Sequence, residues 1–491
     1  MQNPILKCGW FGTLALGLIG SFAGCSSSPT VEPAAALGTP PMTIVLDGSM
    51  DDWPSDEVAV GDDQYLYLRF SPVDPISLQS YKESLVIALD TDDSPATGEA
   101  LGDLGIDLEI AFSPPREDGT PGRGTRITAI SPEGERVRLP AGLLDISVAP
   151  THAASWFEMR IARRMPSDGV LPEAGLLSSG RVRGRMSMYN ASGRRVAEAP
   201  EFFVDLPQAA ADMHRAHVIV PRKSLGTVRI VSYNVLNATP MDKPEPFSRM
   251  LRALDPDIVL VQEWYNTPAD EMAAWFNREL PIEGQWRAVT SEGRGVAVVS
   301  RLEIAPIGPP ALVIQPEGED RTVRVTPALV ETPIGPMAVA SIHLKCCGSL
   351  NSREDRIRNA EAEAIAAMIE EQTADIGPHV RVVIGDCNLV GGRDPLLTLA
   401  RRLDVDRSNA SIVEPYVLGD NAMYTWTSPT SNFLPGRLDY AVYSDSSAVI
   451  DHAFIFDPAR LSDKTLHELN LQVLDGMASD HRPLVLDLRA P

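Results

Sequence analysis

The chain has 491 residues and a formal net charge of −23, with 43 Lys and Arg against 66 Asp and Glu. That length exceeds one ordinary domain and predicts two globular domains behind a leader. Acidity in both halves counts against a protein that grips nucleic acid through a basic stripe. It does not count against a nuclease, because a bound cation inverts the local charge.

Residues 1–25 read as a secretory leader. Lys7 precedes an apolar stretch, Trp10 to Phe22, which ends in Phe22-Ala23-Gly24-Cys25. The stretch is short for a transmembrane helix. Cys25 after Ala-Gly resembles the bacterial lipoprotein signal, in which the Cys is lipidated and becomes the mature N-terminus. An ordinary signal peptide or a single-span anchor is the alternative. Residues 26–41, rich in Ser, Pro, Ala and Thr, then form a flexible tether. The expected location is extracytoplasmic, anchored to the cell envelope by lipid, with the choice of inner or outer membrane left open. No obligate protein partner is expected.

From 42 to 207 short strands alternate with turns: TIVLDG, QYLYLRF, SLVIALDTD, DLEIAFS, TRITAIS, SWFEMRIA, GRVRGRMSMYN and EFFVDLP. No long amphipathic helix interrupts them, which predicts an antiparallel β-sandwich. LDGSMDDW, DDQYLYLRF and LDTDDSPATGEALG followed by GIDLEIAF resemble the family-9-like carbohydrate-binding modules. Asp90, Asp92 and Asp93 have a spacing suited to a structural Ca²⁺, or to an acidic turn that caps a strand. Glycan contact would need exposed aromatic platforms. Trp53 and Trp156 are the candidates, and each is equally suited to a core. Residues 208–226 read as a linker.

Residues 227–490 differ in kind. Polar residues stand at the ends of apolar runs that read as buried strands. They are Asn234 in VSYNVLN, Glu263 in IVLVQEW, His343 in VASIHLK, Asp386 and Asn388 in VVIGDCN, Asp439 in GRLDYAV, and Asp480 with His481 in ASDHRPLVL. Each is costly to bury alone, so six such strand ends predict one shared pocket. Glu263, Asp386 and Asp480 are oxygen ligands suited to Mg²⁺ or Mn²⁺. Asn234 and Asn388 offer neutral amides. His343 and His481 can move protons near neutral pH, and Asp439 is suited to hold His481 in one tautomer.

The ordered series SYN, QE, H, GDCN, RLDY and SDH resembles the endonuclease/exonuclease/phosphatase superfamily. The resemblance implies an α/β four-layer sandwich, two packed β-sheets flanked by helices, with the site at one end. It implies that Glu263, Asn234 and Asp480 hold or support the metal, and that Asp386 orients the attacking water. Asn388 would grip the phosphate, and His343 would donate to a phosphate oxygen or the leaving group. His481, paired with Asp439, would act as base or stabilise the transition state. Leu236, where repair-type members often carry a polar residue, and His343, where they usually carry Tyr or Asn, argue against an abasic-site repair enzyme. The expected activity is hydrolysis of phosphodiester bonds outside the cytoplasm, with nucleic acid the leading substrate. A phosphomonoesterase or phospholipid headgroup hydrolase is the alternative, and a non-catalytic surface glycan-binding protein the alternative of another class.

The neighbouring strands of that fold make a disulfide from Cys387 to Cys346 or Cys347 geometrically open, beside free thiols and a metal-thiolate site. A helix is expected from about Arg353 to Glu371, capped by Ser352, with Arg356 and Arg358 near its start. Arg356 is expected on a solvated face, with contact to a substrate phosphate as the alternative. Lys345 is the preferred phosphate contact. Tyr424 and Trp426 either line the cleft or pack beneath it, and His452 and His467 read as surface residues.

Overall fold

The computed structural model describes residues 44–491 apart from 55, 165–175, 178–179, 211–214, 216, 292 and 378. The leader and the tether lie outside the described residues. No described helix is long and apolar enough to cross a membrane.

The first half contains a four-stranded sheet (59–61, 65–70, 157–162, 147–149) and a seven-stranded sheet built around Ser84–Asp90, Leu108–Phe112 and Gly180–Tyr189. All their pairings are antiparallel. Alternation along each strand sends one set of side chains inward. Leu66, Leu68, Phe157 and Met159 from the smaller sheet meet Ile87, Leu108, Ile110 and Ile127 from the larger in one apolar core.

The second half is built on two six-stranded sheets. The strands of these two sheets are β1 (Val228–Asn234), β2 (Ile258–Gln262), β3 (Arg287–Thr290), β4 (Val296–Ser300), β5 (Ile304–Pro306), β6 (Val325–Thr332), β7 (Gly335–His343), β8 (Val380–Asp386), β9 (Ser411–Val413), β10 (Asp439–Tyr443), β11 (Val449–Ile455) and β12 (Leu484–Arg489). The sheets run β3-β4-β2-β1-β12-β11 and β5-β6-β7-β8-β10-β9. Val228, Ile230, Leu260 and Leu486 of the first share an apolar layer with Val339, Val382, Ile384 and Ala441 of the second. Strands buried on both faces read as the continuous apolar runs seen in the sequence.

Helices cover the outer faces. In α1 (Pro244–Leu254), Phe247, Met250, Leu251 and Leu254 recur at helical spacing and are buried. They pack with Trp275 and Phe276 of α2 (Ala269–Glu279) on the first sheet. The helix α3 (Arg353–Gln372) is capped by Ser352, whose hydroxyl accepts from the Asp355 N–H at 3.3 Å. With α4 (Asp394–Leu403) it covers the second sheet through Ile365, Ile369, Leu396 and Leu399.

The halves are not beads on a string. Ile44, Leu46, Trp53, Tyr65 and Tyr67 of the first share an apolar cluster with Val417, Ala422, Tyr424 and Ile455 of the second. TIVLDG, expected as a strand of the sandwich, instead bridges across, with Leu46 beside Ala422. Arg160, fully buried, bonds Asp420 and Asn421, and Arg460 reaches back to Asp145 at 2.7 Å. Nor does the described part of the linker hang free. Val218 and Val220 are buried against the helical face of the first sheet, and Lys223 pairs with Asp257 at 2.9 Å.

The structure decides several alternatives that the sequence left open and corrects other expectations. Trp53 is no sugar platform: it is buried, and its Nε1 donates to Glu158 Oε2 at 2.9 Å. Trp156 is half exposed and lines a cavity of about 500 Å³ at the junction of the halves. The acidic cluster is Asp90, Asp92 and Asp107, not Asp93, which turns toward Arg183 at 3.8 Å. Asp90 accepts from the Ser94 and Gly105 N–H groups, and Asp107 from Thr91, so these carboxylates tie the loop together. No Cys387 disulfide forms. Cys387 is buried in the core beside α3 and α4, and all three thiols are free, with Cys346 and Cys347 Sγ 2.8 Å apart. His452 is partly buried and lies 3.2 Å from Asp487, a partner invisible in the local sequence.

Candidate active site

Strand register builds the site. On the parallel pair β7–β8, His343 faces Asp386, and on the antiparallel pair β8–β10, Asp386 faces Asp439. Residues in register share a face of the sheet, so the three stand in a row at one end. Gly385 makes this row compact. A Cβ there, at φ +155°, would lie 2.0 Å from the Ile342 carbonyl oxygen, so only glycine lets the two strands close.

The facing sheet supplies Asn234 at the end of β1, opposite Gln262, with Glu263 immediately after β2. Glu263 takes the left-handed φ of +61°, and Asn388, just past β8, takes +50°. Such backbone is sparsely populated in residues other than glycine and gathers at working sites.

One amide joins the sheets. Asn234 Nδ2 donates to Glu263 Oε1 and to Asp386 Oδ2, each at 3.2 Å. His343 Nε2 stands 3.5 Å from Asp386 Oδ2 and 4.0 Å from Glu263 Oε1. The other nitrogen of His343, Nδ1, is buried without a hydrogen-bond partner. His481 Nδ1 pairs with Asp439 Oδ2 at 2.7 Å, and its Nε2 lies 3.7 Å from Asp386 Oδ2. Asn388 donates its N–H to Asp386 Oδ1 at 3.0 Å and its amide to the Leu344 carbonyl at 3.2 Å.

Burial pushes the Asp386 carboxyl up to about 7. The charge of His481 opposes this, while Asp439 and Glu263 add to it. Burial alone would lower His481, but Asp439 and Asp386 outweigh it and carry the imidazole to about 9. His343 moves the other way. Burial, then the charges of Arg324 and His481, hold it well below the usual histidine value and keep it neutral. The surroundings therefore favour the charged form of His481 and the neutral form of His343.

A cation fits this donor set. Glu263, His343 and Asp386 each place one ligand atom within 4.8 Å of the others, and two of the three are hard carboxylate oxygens. Asp480, expected beside the metal, stands outside that group, and its Oδ2 accepts from Trp426 Nε1 at 2.9 Å. Of the expected residues, Asn234, Glu263, His343, Asp386, Asp439 and His481 are linked by the contacts above. Asn388 joins them through its backbone N–H, and Asp480 through its chain neighbour His481.

Other residues singled out in the sequence stand outside the cluster. Arg356 is exposed, as expected of a solvated helix face, and pairs with Glu317 at 2.6 Å. Arg358, on the same helix, is fully buried and holds the Lys345 and Cys347 carbonyls. Lys345 lies past the end of β7, with its Nζ 3.8 Å from Cys346 Sγ. Tyr424 packs in the junction between the halves, and Trp426 alone of that aromatic pair reaches the cleft.

Some supporting residues escaped the sequence reading. Ser479 donates to the Asn234 carbonyl at 2.7 Å and accepts from the His481 N–H at 3.1 Å, which explains the serine of SDH. Gln262 Nε2 bonds Ser341 Oγ across the sheets at 3.0 Å, tying their strand ends together. Arg324 acts on His343 by charge and donates to Tyr265 Oη at 3.3 Å. A polar residue inside the apolar runs SYN, VQE and VASIH was the available signal for Gln262 and Ser341.

The sequence matches the endonuclease/exonuclease/phosphatase family over residues 231–481, just over half of the chain. The chain belongs to that family. Members are metal-dependent nucleases and phosphatases, and the matched segment contains every strand-end residue described above. No curated protein matches the sequence. Similar solved structures include an endonuclease/exonuclease/phosphatase from Bacteroides vulgatus, 15% identical, covering 54% of this chain and 99% of its own, with a TM-score of 0.36. A 3′-5′ exonuclease from Neisseria meningitidis is 15% identical over 53% of this chain and 100% of its own, with a TM-score of 0.36. Beta toxin from Staphylococcus aureus is 16% identical over 54% of this chain and 100% of its own, with a TM-score of 0.35.

Proposed function

We propose that this chain is a Mg²⁺- or Mn²⁺-dependent hydrolase of phosphodiester bonds that works outside the cytoplasm. Extracellular nucleic acid is the leading substrate class, and the leader and Cys25 support a lipid anchor on the envelope. The observation that carries the activity is the joined cluster of Glu263, Asn234, Asp386 and His343 beside the His481–Asp439 pair.

Glu263 and Asp386 would hold the cation, with Asn234 donating to both carboxylates. When bound, it supplies Lewis-acid stabilisation of charge on the phosphate oxygens. Asp386 orients water, its carboxylate fixed at Oδ1 by the Asn388 N–H. His481, held as an imidazolium by Asp439, is a poor base at neutral pH. It serves instead as a charged donor to the phosphate oxygens as negative charge builds. His343, neutral, offers a hydrogen bond to the phosphate or the leaving oxygen. Asp480 anchors Trp426 and so shapes the cleft.

The test is hydrolysis by the full-length chain, in detergent, of plasmid DNA, RNA, bis-p-nitrophenyl phosphate, p-nitrophenyl phosphate and sphingomyelin, with Mg²⁺ or with EDTA. Cleavage of diesters that EDTA abolishes supports the proposal. Cleavage of the monoester alone replaces it with a phosphomonoesterase, and cleavage of nothing removes it.

Two substitutions probe individual roles. Glu263→Gln keeps shape and removes a ligand charge, so the Mg²⁺ concentration for half-maximal rate should rise by about tenfold or more. An unchanged titration would remove Glu263 as a ligand. Asp439→Asn removes the charge that raises His481. The imidazolium of the wild type persists below about 9, so activity that depends on it falls as pH rises through that value. In the variant the alkaline limb of kcat/KM should move to lower pH, measured from pH 6 to 10. A limb that stays in place assigns it to another group.

A further inference from the structure

We propose that the N-terminal sandwich forms one wall of the substrate cleft, and that the pocket between Arg123, Phe433 and Trp426 takes a nucleobase flanking the scissile phosphate. The inference rests on the phosphodiesterase reading and names its substrate class.

A cavity of about 330 Å³ opens where the two halves meet, and its lining includes Asn388 and Trp426. Asn388 is bonded to Asp386, and Trp426 to Asp480. The pocket is therefore continuous with the site. Its volume is at the small end for ligand pockets, which suits one nucleoside and not a duplex.

The chemistry of the lining is that of a base-stacking platform. Leu78 and Val148 from the first half and Leu434 from the second are buried apolar surface. Phe433 remains 39% exposed at the rim. Arg123, from the first half, is exposed and pairs with no carboxylate among the described residues. Aromatic faces and a guanidinium plane are what stack unpaired bases, and an unspent Arg in an acidic protein also answers the adjoining phosphate.

The wall is pre-set. The Leu434 N–H donates to Gln79 Oε1 at 2.8 Å, and the Thr125 N–H to the Asn432 carbonyl at 2.6 Å. Arg138 reaches Asn432 Oδ1 at 3.0 Å, and Ser77 Oγ donates to the Val390 carbonyl at 2.7 Å. The sandwich thus clamps the segment that bears Phe433, so little ordering cost falls on binding.

The experiment compares the thymidine, methyl and octyl esters of p-nitrophenyl phosphate, using the full-length chain in detergent with Mg²⁺. The wild type should prefer the thymidine over the methyl ester by at least about tenfold in kcat/KM. Phe433→Ala and Arg123→Ala should each erode that ratio, chiefly through KM. Both positions are exposed, and the two variants report independently if one folds poorly. A ratio near one in the wild type, or a ratio unchanged in both variants, overturns the inference. An octyl preference lost in Phe433→Ala overturns it in favour of a lipid chain. Methyl ester turnover without thymidine preference sinks the base pocket alone. Turnover of none of the esters sinks the phosphodiesterase reading and the pocket with it.

Discussion

His481→Ala should lower kcat by about 10²–10³-fold, the cost of removing one pre-oriented donor to a charge that develops in the transition state. His481 is buried, held by Asp439 at 2.7 Å, and raised to about 9. It is therefore charged before substrate arrives, and no reorganisation is needed at the moment of reaction. Asp386→Asn should cost at least as much. It removes the carboxylate at the meeting point of Asn234, His343 and His481. The fold should survive that second change, because burial already disfavours the ionised form of Asp386. Thermal unfolding of both variants alongside initial rates on a diester separates the two effects. A variant that keeps its rate loses its place in the mechanism. A variant that loses rate and melting temperature together has been damaged as a structure.

The site was legible because burying a polar group is expensive. A run such as VVIGDCN ends in Asp386 only if something at the strand's end meets the carboxylate, and here Asn234 and the Asn388 N–H do. Strand periodicity made the two sheets of the second half readable for the same reason. What the sequence hid were contacts between residues hundreds of positions apart. FEMRIA gave no sign that Arg160 finds Asp420, since an Arg in an alternating strand ordinarily faces water. His452 looked like a surface residue because its partner, Asp487, lies inside a different apolar strand. Asp107 displaced Asp93 from the acidic loop because the chain folds back at Gly105, whose N–H reaches Asp90. Cys387 was read by its neighbours Asp386 and Asn388. Strand alternation instead turns its side chain away from theirs and into the helical layer.

The junction of the halves is where the second large effect is expected. Arg160→Ala should destabilise the protein by about 3 kcal/mol, the lower end for breaking a buried ion pair. The lower end applies because Asp420 keeps a second partner, Arg460, at 2.9 Å. The side chain also stacks on Tyr65 with its guanidinium 4.4 Å from the ring centre, so packing is lost with the charge. Burial would raise the Asp420 carboxyl, but Arg160 and Arg460 outweigh it and hold it far below the ordinary range. A depressed carboxyl stabilises the fold above its unfolded value near 3.8 and loses that contribution as pH falls below it. Wild-type stability should therefore drop below pH 4, and Arg160→Ala should show less of that drop because less depression remains. Urea unfolding at pH 7 and pH 3.5, with Asp420→Ala and the double variant, closes a cycle whose coupling energy reports the pair itself. A coupling below about 0.5 kcal/mol would mean that the apolar cluster of Leu46, Tyr67, Val417 and Ile455 docks the halves unaided. A large coupling would make the ion pair the latch that holds the N-terminal sheets against the proposed cleft, and substrate preference in Arg160→Ala should then relax along with stability.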